Sequence, residues 1–378
     1  MAKPYKIIIA PLDWGLGHAT RIIPLIKCLL TEGCAVIIAA EGQIGQLLQN
    51  EFPNLTFLPL EGYKIEYTKQ KKRLPLKIAI QTPGILFSIY KEHVWLKKVV
   101  KNYAIDAVIS DNRFGLYHSN IPSVYITHQL LIKTRNKFSE NILARLHHLF
   151  IKKYTECWVP DFKGDDNISG ALSHPAERIN NIKYIGCLSR FEKSQGVEIK
   201  YDLIVLLSGP EPQRSIFEKL LLVQLDQFSG QVLLVRGKPV GDENLHIENN
   251  STGKIQIKNH LNAAELNLAI QQAKVVICRS GYTTIMDLIK LQKKAILIPT
   301  PGQTEQEYLA AYLMKKKIFY SETQDKFLLE EALKKLDEFS FLLKGYDMEQ
   351  YKKTVHQFID YIAGIKKRKN LANQVNRQ

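Results

Sequence analysis

The sequence predicts an α/β protein built from two doubly wound domains, and three observations predict it. Strand and helix signals alternate along the chain from residue 5 onward. The strands are unbroken apolar runs such as "YKIIIA" and "AVIIAA", the pattern of strands covered on both faces of a parallel sheet. The alternation then restarts after about residue 186 with "DLIVLLSG". A chain of 378 residues, 45% of them hydrophobic, suits two such Rossmann-like domains better than one.

The elements follow in order. After "YKIIIA", the stretch "HATRIIPLIKCLLTEG" has helical spacing and closes on Gly33. "AVIIAA" is the second strand and "GQIGQLLQN" the next helix. "LTFLPL", "DAVIS", "SVYIT" and "CWVP" continue the strand series, and the segment "LPLKIAIQTPGILFSIYKEHVWLKKVVKN" is expected to be helical, broken at Pro83-Gly84. In the second half, "PQRSIFEKLLLVQLDQF" is a helix, "QVLLVRG" a strand, "AAELNLAIQQA" a helix and "KVVICRSG" a strand. "TTIMDLIKLQ" is a helix, "KAILIPTPG" a strand and "EQEYLAAYLMKK" a helix, and two further helices end the chain. The expected boundaries are a first domain over 1–185, a hinge over 186–200, a second domain over 201–345, a C-terminal helix over 346–365 and a disordered basic tail over 366–378.

Composition narrows the class. Mean hydropathy is −0.16, and no apolar run reaches the roughly 18 residues of a membrane span. The N-terminus lacks a small-residue cleavage site and reads as a first buried strand, not a signal peptide. Five scattered cysteines without a CxxC pair point to a reducing, cytoplasmic setting and away from zinc. The net charge of +15 is unevenly placed: Lys64 to Lys101 holds ten basic and two acidic residues. Such a patch is either a solubilising face or a surface for phosphates and anionic lipid. No zinc finger, helix-turn-helix or RNA-recognition signature accompanies it, and stacking aromatics are not interleaved with it, so a nucleic-acid partner is not expected.

Ligands of doubly wound sheets bind beyond the carboxyl ends of the strands, and four strand ends carry chemistry. The first is Gly15-Leu16-Gly17-His18, where glycines permit a sharp turn, a helix N-terminus offers free N–H groups, and His18 is placed at the sheet edge. It lacks the spacing of a dinucleotide fingerprint, and a capping histidine is the alternative. The second is "ISDNRFG", ending in Asp111, Asn112 and Arg113, and the third is "YITHQLL", ending in His128 and Gln129. The fourth is "CRSGYTTIMDLIKLQKKAILIPTPGQTEQEYLAAYL". A diphosphate fits the helix start at Arg279-Ser280-Gly281, which leaves a carboxylate and amides for sugar hydroxyls, since each hydroxyl both donates and accepts.

This fourth segment resembles the GT-B glycosyltransferases, in particular the MurG-like family 28. That family shows Arg-Ser-Gly-x-x-Thr-x-x-Glu, then a strand ending in proline, then a glutamine-rich helix start. "RSGYTTIMD" matches it with Asp287 in place of Glu, and "ILIPTPGQTEQEYLAA" keeps the spacing without a gap, with Gln306 on a sugar-contacting glutamine. Glu307 and Ala310 stand where the family has Gln and Asn, and "LLSGPEPQR" keeps only Ser208 and Gly209 of the family's Gly-Gly-Ser-x-Gly. "GLGHATR" resembles the family's first glycine-rich loop, and "IPSVYITHQ" the stretch before its His-Glu-Gln-Asn.

The resemblance implies a GT-B fold, two Rossmann-like domains facing each other across a cleft, with the acceptor on the first and the donor on the second. It implies transfer of a sugar from a nucleoside-diphosphate sugar, of UDP-GlcNAc type, to an acceptor hydroxyl by an inverting mechanism. No cofactor and no metal are expected; the sequence has no Asp-x-Asp and no Cys/His cluster. His18 is the expected base, with Asp111 as the fallback. Gly17, Ser208, Gly209, Arg279, Ser280, Gly281, Thr283, Asp287, Gln303 and Gln306 are the expected donor contacts, and Arg113, His128 and Gln129 lie on the acceptor side. A nucleotide-sugar 2-epimerase of the same fold is the rival reading. A basic cluster, Lys69, Lys71, Lys72 and Arg73, adjoins the apolar residues Leu74, Leu76, Ile78, Ile80, Ile85, Leu86, Phe87 and Ile89; it is either a core helix with a solvated basic end or an anionic-membrane face, and the second would place the cytoplasmic protein peripherally on the inner face of the plasma membrane.

Overall fold

The computed structural model describes residues 4–63, 74–134, 136–177, 179–238, 254–342 and 344–375. The chain divides into two compact units, Met1–Leu188 with Asp347–Gln378, and Ser189–Tyr346.

Unit 1 is a parallel sheet of seven strands: β1 (Lys6–Pro11), β2 (Ala35–Ala39), β3 (Thr56–Leu58), β4 (Ala107–Asp111), β5 (Ser123–Ile126), β6 (Glu156–Val159) and β7 (Ile182–Tyr184). Their order is β3-β2-β1-β4-β5-β6-β7. Its helices are α1 (Leu16–Thr31), α2 (Gly42–Glu51), α3 (Leu74–Tyr103), α4 (Lys137–Ile151) and, from the end of the chain, α10 (Gln350–Val375). Side chains alternate across β1. Ile7 and Ile9 enter the core under α1 and α10, and Ile8 and Ala10 enter the core that includes Leu96 and Val99 of α3.

Unit 2 repeats the plan with β8 (Tyr201–Leu206), β9 (Gln231–Val235), β10 (Lys254–Lys258), β11 (Ala273–Cys278), β12 (Ala295–Leu297) and β13 (Tyr320–Ser321), ordered β10-β9-β8-β11-β12-β13 and all parallel. Its helices are α5 (Gln213–Leu225), α6 (Ala263–Gln271), α7 (Tyr282–Leu291), α8 (Thr304–Lys315) and α9 (Leu329–Glu338). Both sheets have the doubly wound order, which reverses between β1 and β4 in one and between β8 and β11 in the other. Those reversals are where loops diverge and a ligand crevice opens.

Several elements differ from the sequence reading. α3 passes through Pro83 without a break; Ile89, Leu96 and Val99 bury one face of it downstream, and that packing holds the helix where local propensity would end it. α4 was not anticipated. Asn136 starts it, its side chain accepting from the Phe138 N–H at 2.9 Å. The edge strands β7 and β13 and the strand β10 are short and carried no clear apolar run. The basic tail is helical to Val375: Tyr351, Val355, Phe358 and Ile362 anchor α10 on the unit 1 core, Lys366 pairs with Asp106 at 2.7 Å, and Lys369 donates to the Asn120 carbonyl. The basic cluster Lys69, Lys71, Lys72 and Arg73 lies outside the described residues.

Candidate active site

In unit 1 the chain leaves β1 through Leu12, Asp13 and Trp14 and enters α1 at Gly15, whose φ of 138° and ψ of 158° suit glycine alone. That turn sets His18 at the start of α1, with its N–H on the Gly15 carbonyl at 3.2 Å. Across the reversal point, β4 ends on Asp111, which is fully buried. His18 Nδ1 lies 3.0 Å from Asp111 Oδ2. Arg21, one helical turn after His18 and on the same face of α1, grips Asp111 with two nitrogens, Nε at 2.9 Å to Oδ2 and Nη2 to Oδ1. Arg21 Nη1 also lies 3.0 Å from His128 Nδ1, at the end of β5. Three of the four strand-end motifs thus meet within one hydrogen-bonded cluster.

The electrostatics follow from burial. Burial pushes the Asp111 carboxyl up, but the Arg21 guanidinium and then His18 outweigh it and hold it down at about 2. Burial and then Arg21 lower the His18 imidazole below its ordinary value, against the opposing pull of Asp111. His18 is therefore a neutral base at neutral pH, with 16% of its side chain still exposed. Asp111 is a permanent anion without exposed surface, so it is a partner of His18 and not the fallback base expected of it. Arg21 was missed; its i+3 spacing from His18 was the signal.

Arg113 also departs from expectation. It is buried, and its guanidinium donates to the carbonyls of Pro11, Glu61 and Leu60 and to Glu92 Oε1 at 2.7 Å. These internal bonds make it a strut between β1, the chain after β3 and α3, and not an acceptor contact. The Gln129 amide lies 3.4 Å from His128 Nε2, at the margin of the same cluster.

In unit 2 the reversal point brings Ser208 and Gly209, after β8, beside Ser280 and Gly281, after β11, and Thr300, after β12. Gly209 has a φ of 96°, and a Cβ there would stand 3.3 Å from the Thr300 hydroxyl. That hydroxyl is buried and has no protein partner among the described residues. Thr300 was not singled out from the sequence. Gly281 is the N-cap of α7, and Ser280 donates to the Gln306 carbonyl at 2.9 Å. The Gln306 side chain accepts from the Thr300 N–H at 2.9 Å and donates to Gln303, and Glu307 accepts from the Gly302 N–H. The glutamine-rich loop is therefore braced by its own side chains.

Three expected donor contacts are placed differently. Arg279 is buried, donating to the carbonyls of Ile298, Pro299 and Gln213 and to Gln324 Oε1 at 2.7 Å, so it is a packed strut. Asp287 is buried in α7 and accepts from the Ser189 hydroxyl; burial raises its carboxyl to about 7, with Ser189 and Arg190 opposing. It is not an open, ribose-facing carboxylate. Counting along Arg-Ser-Gly-x-x-Thr puts the motif threonine on Thr284, the neighbour of Thr283; both are half-buried.

Residues 204–362 match the model of the glycosyltransferase family 28 C-terminal domain. A curated relative from Buchnera aphidicola subsp. Schizaphis graminum (strain Sg), the UDP-N-acetylglucosamine--N-acetylmuramyl-(pentapeptide) pyrophosphoryl-undecaprenol N-acetylglucosamine transferase, is 22% identical over 267 residues, 67% of this chain and 69% of that protein. Among solved structures, the glycotransferase of kitacinnamycin aligns with a TM-score of 0.62 at 12% identity, covering 99% of both chains. MurG of Acinetobacter baumannii aligns at 0.54 and 13% identity, covering 96% of this chain and all of that one. The glycosyltransferase VinC, solved with DTDP, aligns at 0.55 and 12% identity, over 99% and 100%. These neighbours share the fold, and none of the comparisons supports the epimerase alternative. With a family 28 C-terminal domain over residues 204–362 and the two-domain neighbours across nearly its whole length, the chain is a nucleotide-sugar glycosyltransferase of GT-B fold that resembles the MurG-like enzymes.

Proposed function

We propose that the chain transfers a sugar from a UDP-sugar of UDP-GlcNAc type to the hydroxyl of a lipid-linked acceptor at the cytoplasmic face of a membrane, with inversion and without a metal. The buried His18–Asp111–Arg21 cluster carries this reading. His18 Nδ1 lies 3.0 Å from the Asp111 carboxylate, kept ionised by Arg21, and 2.9 Å from Arg21 Nη2; in this reading the carboxylate holds the proton on Nδ1 and the lone pair is on Nε2. Nε2 takes the proton of the acceptor hydroxyl as its oxygen attacks C1. The bond between C1 and the diphosphate oxygen breaks, and the nucleoside diphosphate leaves with that electron pair. Ser208, Gly209, Gly281 and Thr300 hold the diphosphate in unit 2, where the ends of β8, β11 and β12 offer backbone N–H groups and the Thr300 hydroxyl.

The choice of UDP-GlcNAc and of a lipid-linked acceptor draws on the relative from Buchnera, whose name contains both. The membrane reading draws on exposed apolar side chains of unit 1. Leu86, Phe87 and Tyr90 stand out on α3, and Phe138, Ile142, Leu146 and Leu149 form a stripe along one face of α4, from 43% to 72% exposed. Among the described residues, no helix is long and apolar enough to cross a membrane. The deciding experiment offers UDP-, GDP-, TDP- and CDP-sugars in a thermal-shift panel. Stabilisation should be largest with a UDP-sugar, following ln(1 + [L]/Kd); stabilisation by TDP- or GDP-sugars alone rejects the donor assignment.

A further inference from the structure

Arg21 Nη2 has two hydrogens and three acceptors around it. The Arg21 Nε donates to Asp111 Oδ2 at 2.9 Å and Nη2 to Asp111 Oδ1, the two parallel bonds of a guanidinium–carboxylate fork. Nη1 is turned to His128 Nδ1, 3.0 Å away. One Nη2–H is left, and two acceptors lie within its reach: His18 Nδ1 at 2.9 Å and the side-chain oxygen of Asn112 at 3.2 Å.

Asn112 is held in place for that contact. It follows Asp111 directly at the end of β4, with a φ of 57°, a left-handed conformation that Asn adopts more readily than most side chains. Its backbone N–H donates to the Ile126 carbonyl of β5 at 3.1 Å. Its side-chain amide is satisfied in one orientation. The nitrogen donates to the Ile126 carbonyl at 3.2 Å and to the Thr127 hydroxyl at 2.9 Å, and the oxygen faces Arg21. Turned over, the oxygen would face the Ile126 carbonyl and the nitrogen would face the guanidinium. The end of β5 therefore points the amide oxygen at Arg21.

The two acceptors set the imidazole differently. An Nη2–H given to His18 Nδ1 needs a lone pair there, so the ring proton sits on Nε2 and Nε2 cannot take the proton of a hydroxyl. An Nη2–H given to Asn112 lets Nδ1 carry the ring proton and donate it to Asp111 Oδ2 at 3.0 Å, and Nε2 keeps its lone pair. We propose that Asn112 is a positioning residue of the transfer: it holds the second Nη2–H of Arg21 away from His18 Nδ1 and so keeps the ring proton on Nδ1. That role rests on the reading of His18 as the base of a glycosyltransferase.

The test is two-bond proton–nitrogen spectroscopy of the full chain labelled with 15N-histidine, at pH 8, with the His18 signals assigned by His18→Gln. The parent should show a protonated Nδ1 and a bare Nε2. Asn112→Gly suits the left-handed backbone and removes the acceptor, and it should move the proton to Nε2. Asn112→Asp keeps an oxygen for Arg21 and should leave the proton on Nδ1. A parent proton on Nε2, an unmoved proton in Asn112→Gly or a moved one in Asn112→Asp overturns the proposal. On the same samples, UDP release from saturating UDP-GlcNAc should fall by about 10²-fold or more in Asn112→Gly, the lower end of the worth of a positioned base, with UDP affinity unchanged. Loss of UDP affinity with turnover per bound donor intact also overturns it. A parent chain that shows the proton on Nδ1 but binds no UDP and releases none from UDP-GlcNAc refutes the donor reading and leaves the proton assignment standing.

Discussion

At the scale of single residues, the proposed mechanism gives His18 and Asp111 unequal parts. His18→Ala should lower kcat by about 10²–10⁴-fold, the usual worth of a positioned base, with donor affinity little changed by calorimetry. Loss of donor binding with turnover per bound donor intact would make His18 a binding residue instead. Asp111→Asn should slow turnover without shifting donor affinity, because it removes the group that orients the imidazole. It should also move the acid limb of the pH–rate profile further down, since Asp111 is what raises the His18 pKa against burial and Arg21. Asp287 makes a different prediction. Its folded-state pKa is about 7 against an ordinary 3.8, so the folded chain binds the extra proton. The stability this gives is full below about pH 4 and is lost as pH rises through 7. A shift of that size is worth about 4 kcal/mol at most. Asp287→Asn should therefore be more stable than the parent at pH 8 in urea melts, with the gap closing toward pH 4.

Among the elements, the Arg113–Glu92 pair fixes how α3 meets the sheet. Both side chains are buried, and Arg113 also ties β1 to the chain after β3. Removing one partner of a buried pair leaves the other charge uncompensated and costs about 3–5 kcal/mol. Glu92→Ala should lose about that much by denaturant titration, whereas Lys335→Ala, which breaks an exposed pair with Glu322, should change stability little. The helix α3 also shows why its expected break at Pro83 is absent. Proline costs a hydrogen bond and a steric clash locally, and that signal is visible in sequence. The Glu92–Arg113 bond and the burial of Leu96 and Val99 involve residues from distant strands and are not.

For the whole molecule, the prediction concerns the membrane. Flotation with phosphatidylglycerol vesicles should carry the chain at low salt, and phosphatidylcholine vesicles should not. Each basic residue near an anionic surface contributes about 1 kcal/mol, so changing Lys69, Lys71, Lys72 and Arg73 together to Ser should abolish flotation. Changing Leu146 and Leu149 of α4 to Ser should weaken it on the same vesicles. A chain that stays unbound on anionic vesicles at low salt rejects the membrane reading in favour of a soluble acceptor.

The sequence by itself determined the α/β class, the restart of the pattern near residue 186, and the glycine-rich strand ends at which both sheets reverse. Each of these is written in a local period or in a residue type whose backbone freedom is unusual, as Gly15 is. The tertiary structure decided which strand-end residues face a ligand and which face the protein. Asp111, Arg113 and Arg279 read as polar groups at a strand end and Asp287 as one nearly two turns into the helix that follows, yet each is buried and bonded to a partner as many as 102 residues away. Burial and the identity of a distant partner set whether a charge is available, and neither is encoded in local spacing. The same reason hid Thr300, which acquires its meaning from a neighbour on another strand, whereas Arg21 was marked by its i+3 spacing from His18 and only its hold on Asp111 came from the tertiary structure.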